Sequence, residues 1–331
     1  MKNLILLLFS IALSGFGQQK TTGNLVALDN AFYDYIAKDA KIEVLADGFI
    51  WSEGPVWVKE GNFLLFSDAP QNTIFKWKDG EGISAFLKPS GYTGILPYSN
   101  EPGSNGLIIN NNGELVACEH GDRRISRMPL NQGGKVTVAD TWNGKRFNSP
   151  NDIVEVSNGT YYFTDPPYGL PKQQDDTSRE IEEFGVFKID PNGDVSMVVS
   201  NLTRPNGVAL SPNEKILYVN QSDSNAPYIM AYNIQNDGKL DSGRIFFDAT
   251  ELQNAGLIGS LDGIKVAKDG TIFSTGPSGV LVLTPNGKLL GRIETGQRTA
   301  NCTWGDDGSV LYMTAHNYLM RIQTKTKGVR F

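Results

Sequence analysis

Across 331 residues the chain carries 36 Asp and Glu against 30 Lys and Arg, a net charge of −6, with no cluster of basic residues. That balance argues against nucleic acid or an anionic membrane surface as partner, since both are held by concentrated positive charge. With 40% hydrophobic residues, 36 Gly and 16 Pro, the composition is that of a turn-rich β protein, and repeat rings commonly reach this length as one domain.

The chain opens with Met1-Lys2, an apolar run over residues 4–13, and Ser14-Gly15-Phe16-Gly17. One basic residue, a run too short to cross a bilayer and small residues behind it describe a secretory signal peptide, residues 1–17, better than an uncleaved anchor. The mature protein is therefore expected in the periplasm or outside the cell, free of the membrane. No Cys follows the run, so no lipid anchor is indicated. Cys118 and Cys302, the two cysteines, fall in different repeats and at different points of the repeat, which predicts two buried free thiols instead of a disulfide. Residues 18–40 form an extension in which Leu25, Leu28, Phe32, Tyr35 and Ile36 keep helical spacing. A short helix over 25–40, capped by Asp29 or Asn30 and packed outside the main domain, is predicted. Residues 41–46 then alternate like a strand.

From residue 41 to 331 one cadence dominates. Its clearest copy runs Ser149-Pro150-Asn151-Asp152-Ile153-Val154-Glu155, an Asn158-Gly159 turn, then Tyr161-Tyr162-Phe163-Thr164-Asp165 and Pro166-Pro167. This is a β-hairpin signature. Copies begin at Glu53, Asn105, Asn206 and Asp262, each followed by Gly, and more weakly at Asn301. A period of roughly fifty residues with four strand-like runs per unit marks a propeller blade. The prediction is an all-β, six-bladed β-propeller whose strand at 41–46 completes the last blade and removes an exposed edge. Two stretches break the cadence, a Pro- and Gly-rich loop at 88–104 and a polar insertion at 170–184. Loops of this length inside a domain are commonly rims or lids of a site.

Innermost strands line a propeller's channel, so the six register residues are predicted to meet on the axis. Oxygen donors from Asp, Glu and Asn, with no Cys or His in register, suit a hard cation such as Ca²⁺. Zinc favours nitrogen or sulfur. The plainer account makes each Asn-Gly or Asp-Gly a turn residue, but a Glu in the same slot has no turn preference. The two histidines of the chain, His120 and His316, share one slot, about fifteen residues after the register residue. Both are predicted to stand beside Glu53 at the mouth. Glu119 lies either on the substrate or outside the site, and Tyr168 follows the double proline at the mouth. The remaining aromatics, among them Trp57, Phe163, Phe273, Trp304 and Tyr312, read as packing between blades.

Asn148-Ser149-Pro150-Asn151-Asp152, Tyr162 through Gly169, Arg204-Pro205-Asn206-Gly207, Leu261-Asp262-Gly263 and Ser52-Glu53-Gly54-Pro55 together resemble the bacterial branch of the gluconolactonase, senescence marker protein and luciferin-regenerating enzyme family. The resemblance spans nearly everything after residue 45. It implies a six-bladed propeller with a central divalent metal, usually calcium, that hydrolyses lactones; paraoxonases and diisopropyl fluorophosphatase are distant relatives. Residue by residue it implies Glu53, Asn151, Asn206 and Asp262 as metal ligands, with Asn105 and Asn301 near the site but not bound directly. Animal sugar lactonases have an Arg two residues before the asparagine matching Asn151; here that residue is Ser149, so their sugar preference does not carry over.

The expected chemistry is metal-assisted opening of a cyclic ester, most of all a sugar lactone, with Mg²⁺, Mn²⁺ or Zn²⁺ as other candidate ions. Asp262 is one candidate base; His120, partnered by His316, is its rival. Asn105, Glu119, Tyr168 and Asn301 are the candidate substrate contacts. Aryl-ester or phosphotriester hydrolysis at the same site, and a non-catalytic binding propeller with a structural metal, are the alternatives. No sequence feature specifies an oligomeric state.

Overall fold

The computed structural model describes residues 20–131 and 133–331; the expected signal peptide lies outside them. Each repeat folds into an antiparallel meander, and six such sheets make the blades of a β-propeller. The innermost strands are Ser52–Val58, Ser104–Ile109, Ile153–Glu155, Pro205–Leu210, Ile264–Val266 and Thr299–Gly305, one per blade in chain order. The second strands return as Phe63–Asp68, Glu114–Glu119, Tyr161–Asp165, Ile216–Gln221, Ile272–Gly276 and Val310–Ala315.

The ring closes through its sixth sheet. Ile42–Asp47 pairs antiparallel with Tyr318–Gln323, with Val44 opposite Met320, so the fourth strand of the last blade comes from the start of the domain. The helix predicted over 25–40 is much shorter, Phe32–Tyr35. Residues Asn24–Ala27 are instead a strand on the outer edge of blade 5, Leu25 opposite Ile293. An open sheet edge presents unpaired N–H and C=O groups, and satisfying them outweighs a helical spacing that propensity supports only weakly. Neither Asp29 nor Asn30 caps it: the N-cap position is Ala31, with no side-chain cap, and Asp29 Oδ1 accepts from the Ala31 N–H at 2.9 Å in the turn before the helix. Phe32 and Ile36 are fully buried against the seam of blades 5 and 6.

Burial is organised seam by seam. Each of the six hydrophobic clusters among the described residues joins two neighbouring blades. Trp57 stacks on Tyr312 at 5.3 Å across the seam of blades 1 and 6, while Phe273 meets Trp304 edge-on at 4.9 Å between blades 5 and 6. Cys118 and Cys302 are free and buried in two different seams.

Near the axis the seams are too narrow for side chains, and this explains the glycine after the register residue. A Cβ on Gly54 would lie 1.9 Å from the Asn105 carbonyl oxygen, and one on Gly207 would lie 2.1 Å from that of Asp262. The close approach is bonded: Gly106 N–H donates to Asn151 O at 2.7 Å, Gly207 N–H to Asp262 O at 3.0 Å and Gly263 N–H to Ala300 O at 2.8 Å. These dipeptides are therefore seam elements at the start of inner strands, whereas the hairpin turns lie at the other end of those strands. At that opposite face a cavity of about 670 Å³ opens, lined by Val56, Ile153 and Val208 among others. The segment 327–331 crosses it, with Val329 N–H donating to Val266 O at 3.1 Å and Gly328 N–H to Gly308 O at 3.0 Å.

Replacing Gly207 by Ala forces the seam of blades 4 and 5 apart. The expected result is a loss of about 1–3 kcal/mol, read as a lower denaturant midpoint. An unchanged midpoint would show that the seam accommodates a methyl group.

Candidate metal and substrate site

On the mouth where the inner strands begin, a cavity of about 300 Å³ is lined by Glu53, Asn105, Asn151, Asn206 and Asp262. Five register residues from blades 1 to 5 thus reach one space. The sixth does not. Asn301 is turned into the wall below, its Oδ1 accepting from Cys302 N at 2.9 Å and from Lys265 Nζ at 3.4 Å. Asp152 is buried at the same level, its pKa raised by burial and pulled back chiefly by Lys265.

Side-chain acceptors hold the loops that carry the register residues. Where the second strand of a blade ends, its last residue accepts hydrogen bonds from the loop that enters the inner strand. Asp68 takes the Ile50 N–H at 2.9 Å, Asp165 takes Asn148 and Ser149 N–H at 2.7 and 2.8 Å, and Gln221 takes Thr203 N–H at 2.9 Å. Ile50, Asn148 and Thr203 each lie three residues before Glu53, Asn151 or Asn206, and Ser149 lies two before Asn151. Asn220 adds a bond from Nδ2 to the Asp262 carbonyl at 2.7 Å.

Burial perturbs the carboxyls of the cavity strongly. Burial raises Glu53 to about 8, with the charges of Asp152 and Glu101 adding to the shift. Asp262 is raised well above its ordinary value by burial and then by Glu53. Asp262 Oδ1 and Asn105 Oδ1 are buried without any hydrogen-bond partner. Each such orphaned acceptor costs about 1–3 kcal/mol, and a hard divalent ion satisfies acceptors of this kind. No group of three or more His, Cys, Asp or Glu side chains among the described residues is placed to hold a metal. The candidate set is mixed, two carboxylates with the carboxamides of Asn151 and Asn206, and its all-oxygen chemistry fits the ion that the sequence suggests.

The other candidates are spread. Tyr168 lines the cavity and its hydroxyl lies 2.6 Å from Ser222 Oγ, which also accepts from Asn206 Nδ2 at 3.2 Å. His120 is fully buried behind Glu101, with Nδ1 at 3.1 Å from the Glu101 carbonyl oxygen and Nε2 unpartnered. Burial drops its pKa to about 4, so it is neutral at neutral pH. His316 is exposed on the rim, edge-on to Trp51 at 5.7 Å; Trp51 in turn lines the cavity and reaches Glu53 from Nε1 at 3.4 Å. Neither histidine lines the cavity: His120 sits behind Glu101, and His316 stands on the rim beside Trp51. Glu119 points into blade 2, where it pairs with Arg124 at 2.7 Å and Lys135 at 2.6 Å.

Sequence periodicity missed Glu101, Arg204 and Arg298, all on the cavity wall. They sit on loops, outside the repeating strands. Burial raises Glu101 to about 7. Arg204 was legible only as the first residue of Arg204-Pro205-Asn206-Gly207.

Residues 51–317, which take in every inner strand, match the model described as the SMP-30/Gluconolactonase/LRE-like region. The chain belongs to this family. Among SMP-30/gluconolactonase relatives, the gluconolactonase of Zymomonas mobilis is 41% identical over 292 residues, covering 87% of this chain and 82% of that one. A solved structure described as a gluconolactonase-family protein superimposes with a TM-score of 0.82 at 33% identity, covering 93% of this chain and 100% of the other. A gluconolactonase from Xanthomonas campestris gives 0.80 at 29% identity, with 94% and 99% covered.

The charge arrangement predicts how the ion-free protein responds to pH. Glu53, at about 8, and Glu101 and Asp165, at about 7, hold protons in the folded state that the unfolded chain releases near pH 4. Stability of the chelated protein should therefore fall as pH rises from about 4 to about 8, and added Ca²⁺ should flatten the dependence. Urea midpoints measured across that interval, with chelator and then with Ca²⁺, check both parts.

Proposed function

We propose that this lactonase opens sugar lactones at a divalent cation, Ca²⁺ foremost, held by Glu53, Asn151, Asn206 and Asp262. The observation that carries the reading is the convergence of these oxygens, with Asp262 Oδ1 unpartnered, on one cavity in a chain of the gluconolactonase family. A bound ion of this kind supplies Lewis-acid polarisation of the ester carbonyl, and Mg²⁺, Mn²⁺ or Zn²⁺ are the other candidates.

The chain's own groups do the rest. Arg204 and Arg298 present N–H donors to the oxygens of the bound lactone. Tyr168, tied to Ser222, and Asn105 fix its orientation. Asp262 Oδ1 receives the proton of the attacking water. Water adds to the carbonyl carbon, the acyl–oxygen bond breaks, and the Glu101 carboxyl, inclined by burial to keep its proton, delivers it to the departing ring oxygen. The product is the open hydroxy acid. His120 acts through Glu101, whose backbone it holds, and His316 through Trp51 and Glu53; both are positioning residues in this mechanism. Asn301 and Glu119 lie outside the contact set. Export of the mature chain, read from residues 1–17, belongs to the same proposal and is tested by cell fractionation.

Hydrolysis of glucono-δ-lactone followed by acid release should vanish with chelator and return with Ca²⁺. Activity persisting in metal-free protein would end the cation's role, and no turnover of any sugar lactone would end the lactonase reading of the site. Asp262→Asn should lower kcat about a hundredfold or more. Glu101→Gln should remove the alkaline limb of the pH–rate profile, whereas His120→Gln should keep Ca²⁺ affinity and shift that limb. A His120→Gln profile identical to that of the unaltered enzyme would take His120 out of the mechanism.

A further inference from the structure

Beside the cation cavity lies a second chamber, of about 330 Å³, built from Asn100, Glu101, Tyr168, Lys172, Gln173 and Gln174 with Leu170 and Pro171. Glu101 and Tyr168 line both spaces, so the two chambers meet at these side chains. One wall comes from the loop 88–104 and the other from the insertion 170–184, the two stretches that interrupt the repeat. Each chamber alone stands near the lower end of the roughly 300–1,000 Å³ occupied by small-molecule sites.

The insertion is anchored in place. Ile181 is buried in the seam of blades 2 and 3. Arg123 donates to the Phe147 and Ser178 carbonyls at 2.6 and 3.1 Å. Asp176 accepts from the N–H groups of Lys172 and Ser178 at 2.9 and 2.8 Å. Arg204, which lines the inner cavity, donates to Gln174 Oε1 at 3.1 Å and so joins the insertion to the site. The chamber is thus a fixed part of the mouth.

Its lining selects the class of occupant. The carboxamides of Asn100 and Gln173 offer donors and acceptors together, Gln174 being engaged by Arg204 and Asp175, Lys172 offers donors only, and the Glu101 carboxyl stands at the junction. Vicinal hydroxyls, each a donor and an acceptor, match that set. An acyl chain would need an apolar wall, which Leu170 and Pro171 alone do not make. Tyr168 lines both spaces, so a substituent on a lactone held in the inner cavity would pass this side chain to enter the chamber.

We propose that this chamber is a second sugar subsite, and that the chain accepts aldonolactones bearing a glycosyl substituent, that is, disaccharide lactones. The lactone ring occupies the cation cavity and the glycosyl unit lies beyond Glu101 and Tyr168 against Asn100 and Lys172. This rests on the inner cavity being the lactone site.

The test compares glucono-δ-lactone with cellobiono-δ-lactone on the Ca²⁺-loaded enzyme and on two variants at exposed chamber positions. Lys172→Ala removes a charged donor, and Asn100→Trp fills the chamber. The unaltered enzyme should take the disaccharide lactone with kcat/KM at least equal to that for gluconolactone. Both variants should lose about tenfold on the larger substrate while staying within about twofold on the smaller. Calorimetric binding of the product acids gives a second readout: cellobionate should bind more tightly than gluconate to the unaltered protein, and the difference should disappear in Asn100→Trp. The proposal is overturned if the unaltered enzyme opens gluconolactone but not the disaccharide lactone, or if the variants move both substrates equally or neither. If neither lactone is opened, the reading of the inner cavity fails at its own control and this one with it.

Discussion

Everything at the mouth depends on how closely adjacent inner strands approach one another. Where Gly106 N–H meets Asn151 O at 2.7 Å and Gly207 N–H meets Asp262 O at 3.0 Å, the carbonyl of a register residue is spent on the neighbouring blade. Its side chain is thereby left to face the axis. A Cβ at these glycines would separate the blades, and the register residues would move outwards with them. The same contact therefore sets the diameter of the ring and the spacing of the oxygens inside it.

That spacing carries an electrostatic cost. Burial raises Glu53 and Asp262 alike, Glu53 raises Asp262 further, and the charges of Asp152 and Glu101 add to both. Hydrogen bonds from Gly54 N–H and Trp51 Nε1 offset only part of this at Glu53. A protein selected for stability alone would place apolar or paired side chains there. Strongly perturbed carboxyls gathered in a cleft are characteristic of functional sites.

The ring was legible because it repeats. One register position, seen in Glu53, Asn105, Asn151, Asn206 and Asp262, yielded both the blade count and the residues that line the cavity. Periodicity failed where a residue keeps the register and turns its side chain elsewhere. Asn301 does so because Lys265 and the Cys302 N–H take its Oδ1. It failed again for the histidines, since a shared slot fixes the backbone but not which side chain is covered. The loop 101–103 passes over His120, while His316 is left exposed among the described residues. Glu101, Arg204 and Arg298 come from irregular segments, whose paths follow from tertiary contacts that no spacing encodes. The N-terminal stripe misled for a related reason, because an unpaired sheet edge in blade 5 recruited Asn24–Ala27.

The pairing of Val44 with Met320 has a consequence for how the molecule is made. The fourth strand of the last sheet, Ile42–Asp47, is made first and has no blade to join until Tyr318–Gln323 has been synthesised, so a growing chain holds five blades with no means of joining the first to the sixth. Contacts of such long sequence separation form late and slowly. Because every blade from the first to the fifth lends the mouth one side chain, the binding centre comes into being only with ring closure. A chain interrupted before Tyr318 would be an open, sticky array with two free flanks and no centre at all.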